Sequence, residues 1–166
     1  MAAQDVVLVG VIIFALSLAF FASHFVVNTM YDSLLNNTVM NSSESVREVL
    51  QAGKASTNQM DYVIFGVFIA LVLGIIISGW FIGGNTLFSV LYFFVWVIAT
   101  FLSAIFSNTW QSISAASIFG STVAAFPITN NIMTSLPIYV VVVGFLGIIA
   151  MFAKPYFQGG GGDIGY

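Results

Sequence analysis

The side chains able to do chemistry are few, and they stand apart from one another. His24 is the one histidine, there is no cysteine, and charged side chains make up 5% of 166 residues. Most of those charges lie between Asp32 and Asp61, outside the long apolar runs that dominate the chain. A histidine at membrane depth works as a proton relay or ligand when a second ionisable group shares its layer. No carboxylate lies within an apolar run to partner His24, which stands near the end of the first run beside Ser23 and Asn28. An interfacial histidine is therefore favoured over a relay. Absence of cysteine removes disulfides, thiolate metal sites and a cysteine nucleophile. No carboxylate pair, histidine cluster or nucleophile elbow is present, so no catalytic, cofactor-binding or metal site is expected, and the chain does not read as an enzyme. The glycines at 159–162 precede neither a helix nor a lysine, which argues against a phosphate cradle. Asn36-Asn37-Thr38 and Asn41-Ser42-Ser43 match the glycosylation acceptor pattern, which carries weight only in a eukaryotic protein with this side lumenal.

What must position any such group is a set of membrane helices. Hydrophobic residues form 60% of the chain and the net charge is -3. Mean hydropathy is +1.06. A soluble domain carries roughly 25% charged residues, so this composition cannot cover a water-facing surface. The bilayer is the solvent, and an all-α, polytopic integral membrane protein in a single domain follows. Three basic side chains exclude a nucleic-acid-binding stripe and a polybasic lipid patch.

Four runs are uncharged and long enough to cross a hydrocarbon core of about 30 Å at helical rise. They are residues 6–27, 62–82, 87–106 and 136–153. The first lacks the basic start and clean cleavage site of a signal peptide and reads as a retained anchor. Residues 62–82 and 87–106 flank Gly83-Gly84-Asn85-Thr86, a stop and start signal for an antiparallel hairpin. Pro137 suits the first turn of the last run, and Lys154 and Pro155 are expected to end it before a Gly-rich tail over 154–166. Residues 28–60 form a polar segment with one or two short amphipathic helices. Ser45 with Glu48 fits a capping box, Val46, Val49 and Leu50 give an apolar face, and Glu44 can pair with Arg47. Residues 111–128 are ambiguous, because serines and threonines interrupt the apolar positions and Pro127 ends them. They read either as a fifth span or as a re-entrant, half-crossing helix. Residues 129–135 then form a polar connection.

Small residues mark where helices pack closely. Gly66, Ala70, Gly74 and Ser78 recur every four residues on the hairpin's first arm, facing a ridge of Phe88, Tyr92 and Trp96 expected on the second. Ala15, Ala19 and Ser23 form a similar stripe on the first helix, and Gly144, Gly147 and Ala150 on the last. Arg47 and Lys54 put the polar segment inside by the positive-inside rule, and a fifth span would bring Lys154 to the same side. That grouping tilts the topology towards five crossings.

The strings Gly79-Trp80-Phe81-Ile82-Gly83-Gly84-Asn85, Phe106-Ser107-Asn108-Thr109-Trp110, Asn131-Ile132-Met133 with Leu136-Pro137-Ile138-Tyr139, and Phe152-Ala153-Lys154-Pro155-Tyr156 carry a resemblance. They resemble small multi-pass membrane proteins of tailless double-stranded DNA viruses that hold a lipid membrane inside an icosahedral, double-jelly-roll capsid. The likeness extends over about the last two-thirds of the chain. It implies a non-enzymatic virion component that organises the internal membrane or links it to the capsid, located there and in host membranes. Its partners would be the lipid bilayer, further copies of itself and other membrane or capsid proteins, with no nucleic acid. Two other readings stand beside it: a holin-like or channel-forming oligomer, and a small accessory subunit of a larger membrane complex.

Overall fold

The computed structural model describes residues 2–38, 42–82 and 86–158. The expected hairpin turn at Gly83-Gly84-Asn85, the acceptor at Asn41 and the tail glycines at 159–162 lie outside the described residues. Helices follow in the order α1 (Ala2–Leu35), α2 (Glu44–Asn58), α3 (Met60–Ile82), α4 (Thr86–Ser114), α5 (Gly120–Ala125), α6 (Pro127–Thr134) and α7 (Leu136–Gln158), with a 3₁₀ turn over Ser117–Phe119. Four helices are long and apolar enough to cross a membrane: α1, α3, α4 and α7. The protein is an all-α, polytopic integral membrane protein.

Helix is the only economical choice for these runs, since hydrocarbon offers no partner to a backbone N–H or C=O. The outward face is correspondingly apolar, with Leu87, Phe94, Phe101 and Ile105 among many large exposed side chains. Such a face is solvated by lipid and needs no protein cover.

The hairpin arms α3 and α4 barely touch one another. Instead α7 packs along both of them, while α1 covers the other side of the same pair. The ridge of α4 therefore meets α7 and not the α3 stripe. The Tyr92 hydroxyl donates to the Gly144 carbonyl at 3.3 Å, and the Trp96 indole N–H donates to the Val140 carbonyl at 3.1 Å. A Cβ on Gly144 would collide with the Trp96 indole, and one on Gly147 with the Tyr92 hydroxyl. Gly144 and Gly147 thus form the groove into which the aromatic ridge fits. On α3 the small residue that admits α7 is Gly79, where a Cβ would stand 2.9 Å from the Gly147 carbonyl oxygen.

The stripes on α3 and α1 face the other way. Gly66, Ala70 and Gly74 are exposed and Ser78 is half-buried; Ala15, Ala19 and Ser23 are exposed as well. Gly66 and Gly74 have nothing within 4 Å of a would-be Cβ. The physical reason lies in what each helix must hide. On α3 the buried positions are Asp61, Ile64, Phe68 and Ile75. At 3.6 residues per turn, Ala70 lies roughly 180° around the helix from Asp61. On α1 the buried positions are Ile13, Ser17, Phe21 and His24. Bulky and polar side chains set the rotation, and the small stripes are left towards lipid.

Two clusters make the core. Ile75, Tyr92, Ala99, Val143 and Met151 pack in the half nearer the hairpin turn. Ile13, Phe21, Phe68, Trp110, Ile132, Met133 and Leu136 pack in the half nearer the polar segment.

That second half is where the ambiguous stretch sits. Residues 111–114 complete α4, and the chain then breaks at Ala115 and Ala116 and again at Phe126, leaving pieces of 3, 6 and 8 residues. None is long enough to span, so the fifth crossing is not formed. The expected connection over 129–135 is largely the short helix α6. Because α7 returns alongside α3, residue 154 lies at the opposite end of the bundle from Arg47 and Lys54. The grouping of all basic residues on one side is thereby corrected: the two positions in α2 and the one in α7 fall on different sides. Helix α7 also runs through Pro155 to Gln158, beyond the stop expected there.

The polar segment is one helix that packs on the end of α1, which continues unbroken to Leu35. Helix α2 starts at Glu44 with Ser43 at the N-cap and no side-chain cap, so the box at Ser45 is not used. Its inward edge is Val46, Leu50, Lys54 and Thr57, while Val49 is exposed. Lys54 lies 4.0 Å from the Asp32 carboxylate and 4.5 Å from the centre of the Tyr31 ring. This cross-helix pairing stands in place of the expected Glu44 to Arg47 pair.

Candidate functional site

Helix α6 begins after Phe126, whose side chain has no acceptor with which to cap it. Pro127 occupies the first helical position, where a missing N–H is harmless. The N–H groups of Ile128 and Thr129 are still orphans, as the first donors of any helix are. They find their acceptor on another helix. The Ile128 N–H donates to Asp61 Oδ2 at 3.0 Å, and the Thr129 N–H and hydroxyl donate to Asp61 Oδ1 at 2.7 and 2.6 Å. Asp61 therefore acts as an N-cap supplied from outside the helix it caps.

Electrostatics favour the arrangement twice over. Asp61 is in the first turn of α3, so the positive ends of two helix dipoles, those of α3 and α6, converge on one carboxylate. Among the described residues no cation lies within ion-pair distance of it. Asp61 is 3% exposed and Thr129 fully buried. A charge at this depth is tolerated when its lone pairs are engaged, and here both oxygens are.

Around this cap the other polar groups serve the same broken segment. The Trp110 indole N–H donates to Asn130 Oδ1 at 2.9 Å, and the Ser107 hydroxyl donates to the Thr134 carbonyl at 2.7 Å. The two ends of α6 are thus tied to α3 and α4. Phe126, at the break, is fully buried against Phe21 and His24.

His24 is fully buried, which corrects its reading as an interfacial side chain. It stands edge-on to Phe126 with ring centres 5.1 Å apart. Asn28 Nδ2 and His24 Nε2 are 2.7 Å apart, so the imidazole accepts there and carries its proton on Nδ1. That nitrogen is within reach of the Thr57 backbone but closes no hydrogen bond. Ser17 Oγ, Asn28 Oδ1 and Thr122 Oγ1 are likewise buried without a partner. Polar atoms are therefore concentrated inside the bundle at the end where the helices break.

Of the residues singled out by spacing, the structure brings together Gly144 and Gly147 with the Tyr92 and Trp96 ridge. It leaves Gly66, Ala70, Gly74, Ala15, Ala19 and Ser23 without an internal partner. Sequence reasoning missed Asp61, Thr129, Asn130 and Trp110. A usable signal was present in Phe126-Pro127: a helix start without a capping side chain, in an apolar setting, demands an acceptor from elsewhere. Among the described residues no three histidine or acidic side chains are grouped to hold a metal ion. Comparison with known proteins finds no family model, curated sequence or solved structure that matches this chain.

Proposed function

We propose that this protein is a non-catalytic structural component of a membrane, organising lipid and presenting a polar head to protein partners. The observation that carries this reading is the engagement of Asp61. It is the buried acid at the edge of the spans, and its two oxygens hold the start of α6. A carboxylate that serves as a stepping stone for ions or protons needs a free lone pair and a wet path. This one is dry and committed.

The head consists of the end of α1 with α2 laid along it, where Asp32, Glu44, Arg47, Glu48 and Lys54 gather. It is the part of the described chain best suited to a polar, partly charged protein surface. The resemblance to small membrane proteins of internal-membrane double-stranded DNA viruses gives the reading its specific form. In that form many copies lie in the virion's internal membrane, and the head faces the capsid shell. The outward stripes of Gly66, Ala70 and Gly74 and of Ala15, Ala19 and Ser23 let neighbouring copies approach closely.

The test is reconstitution into vesicles loaded with a small dye, run beside a search for the chain in purified particles. A structural role predicts tight vesicles and stoichiometric recovery with particles. Rapid dye release at low protein-to-lipid ratio, together with absence from particles, would favour a pore-forming protein instead.

A further inference from the structure

An open groove of about 540 Å³ runs between α3, α6 and α7. Phe65 and Ile69 form one wall, Ile128 and Ile132 the other, with Tyr139 at its back and Asn131 among the lining. Phe65 and Ile69 are exposed, at 44% and 40%, and Asn131 is exposed beside them. The Asn131 side-chain amide has no hydrogen-bond partner among the described residues. Its neighbour Asn130 is taken by Trp110.

Depth and volume together specify the occupant. Asn131 stands one turn before Leu136, where the last apolar span starts, and on the same short helix that Asp61 caps at the start of α3. That is the level of the hydrocarbon boundary, where the ester groups of a glycerolipid lie. Below it the groove is walled by aliphatic and aromatic side chains and opens to lipid. A spanning helix about 10 Å wide and 30 Å long displaces roughly 2,400 Å³, several times what the groove holds. At roughly 30 Å³ per heavy atom in a liquid, the groove takes about 18 atoms, the size of a single long acyl chain.

We propose that this groove is a lipid-binding site, holding one acyl chain of an ester-linked glycerolipid with the Asn131 amide donating to its ester carbonyl. An amide left without a partner at the edge of hydrocarbon gains a hydrogen bond, and the apolar walls are covered by a chain that matches them. The site is distinct from the Asp61 cap, whose donors point inward to α3.

The experiment uses the full chain, purified in detergent, delipidated, and titrated with dioleoyl phosphatidylcholine or its ether-linked counterpart. Bound lipid is counted by native mass spectrometry. One lipid per chain is expected to persist, with the ester form held about fivefold more tightly than the ether form, the worth of one hydrogen bond. Asn131→Leu removes that difference and leaves ether-lipid binding unchanged. Ile69→Trp, which fills the groove, lowers retention at least as much, whereas Leu73→Trp on the outer face of α3 does not. Helicity measured on each variant separates loss of the site from loss of the fold, and the ester and ether comparison on the unaltered protein stands without any variant. Equal retention of both lipids by the unaltered protein, or retention unaffected by Ile69→Trp, overturns the proposal. So does a dimer that Ile69→Trp abolishes, which assigns the groove to a second copy.

Discussion

Replacing Asp61 by alanine tests whether one carboxylate holds the broken segment in place. The change removes the acceptor for the Ile128 N–H, the Thr129 N–H and the Thr129 hydroxyl. Thr129 is fully buried, so water does not readily replace the lost oxygens. Hydrogen bonds to a charged group contribute about 1.5–3 kcal/mol each, and a buried donor left without a partner costs about 1–3 kcal/mol. An ordinary N-cap deletion costs about 0.5–2 kcal/mol, because solvent then takes over. Losses within one network do not add, and the alanine side chain no longer carries a charge that must be kept from water. The net destabilisation for Asp61→Ala is therefore about 3–5 kcal/mol, larger than a surface cap and smaller than the simple sum. Asp61→Asn keeps one oxygen and is expected to lose about half as much. Thr129→Val removes the hydroxyl donor alone and is milder again. Unfolding in mixed detergent micelles, followed by far-ultraviolet circular dichroism, gives the order. Hydrogen exchange at residues 127–134 locates the effect, since α6 should open before the spanning helices do. The reasoning is refuted if Asp61→Ala unfolds within about 0.5 kcal/mol of the parent while the amides of Ile128 and Thr129 stay protected.

Three further substitutions probe the packing. Gly147→Leu drives a side chain into the Tyr92 hydroxyl and is expected to lower stability by about 1–3 kcal/mol or more, read from the same unfolding curves. Gly10→Ala should do the opposite: Gly10 is buried, has nothing within 4 Å of a would-be Cβ, and lines an apolar cavity of about 20 Å³. The added methyl occupies vacant space and removes backbone freedom from the unfolded chain, for a gain of about 0.5–1 kcal/mol; a loss of stability would show that the cavity is closed in solution. Gly74→Leu faces lipid and is expected to leave the monomer's melting unchanged while weakening self-association in a crosslinking assay. Unfolding of the monomer by Gly74→Leu would place that stripe inside the fold, and unchanged crosslinking would remove it from any interface between copies.

The spans were legible because the membrane imposes one rule on them, and the rule is visible in composition. A run without charge that is long enough to cross must be helical, whatever surrounds it. The rotation of each helix obeys no such simple rule. A stripe of glycine and alanine at four-residue spacing says only that a backbone can approach there, and on α3 and α1 the rest of the chain declines the invitation. The deciding residues were the ones that hydrocarbon tolerates least. Asp61 at the start of α3 must turn inward to satisfy its oxygens, and Ile64, Phe68 and Ile75 follow it at helical spacing, which sends Ala70 and Gly74 outward. The same accounting explains why residues 111–128 could not be resolved from their own pattern. Their serines and threonines permit a span, but the start of a helix at Pro127 leaves donors that nothing nearby in the sequence can accept. The acceptor lies more than 60 residues earlier, and only the packing of α3 beside α6 makes the two meet. Long-range satisfaction of a short helix's orphan donors is thus what turns a marginal fifth span into a broken segment held at one end of a four-helix bundle. It also makes the placement of that segment depend on a single side chain.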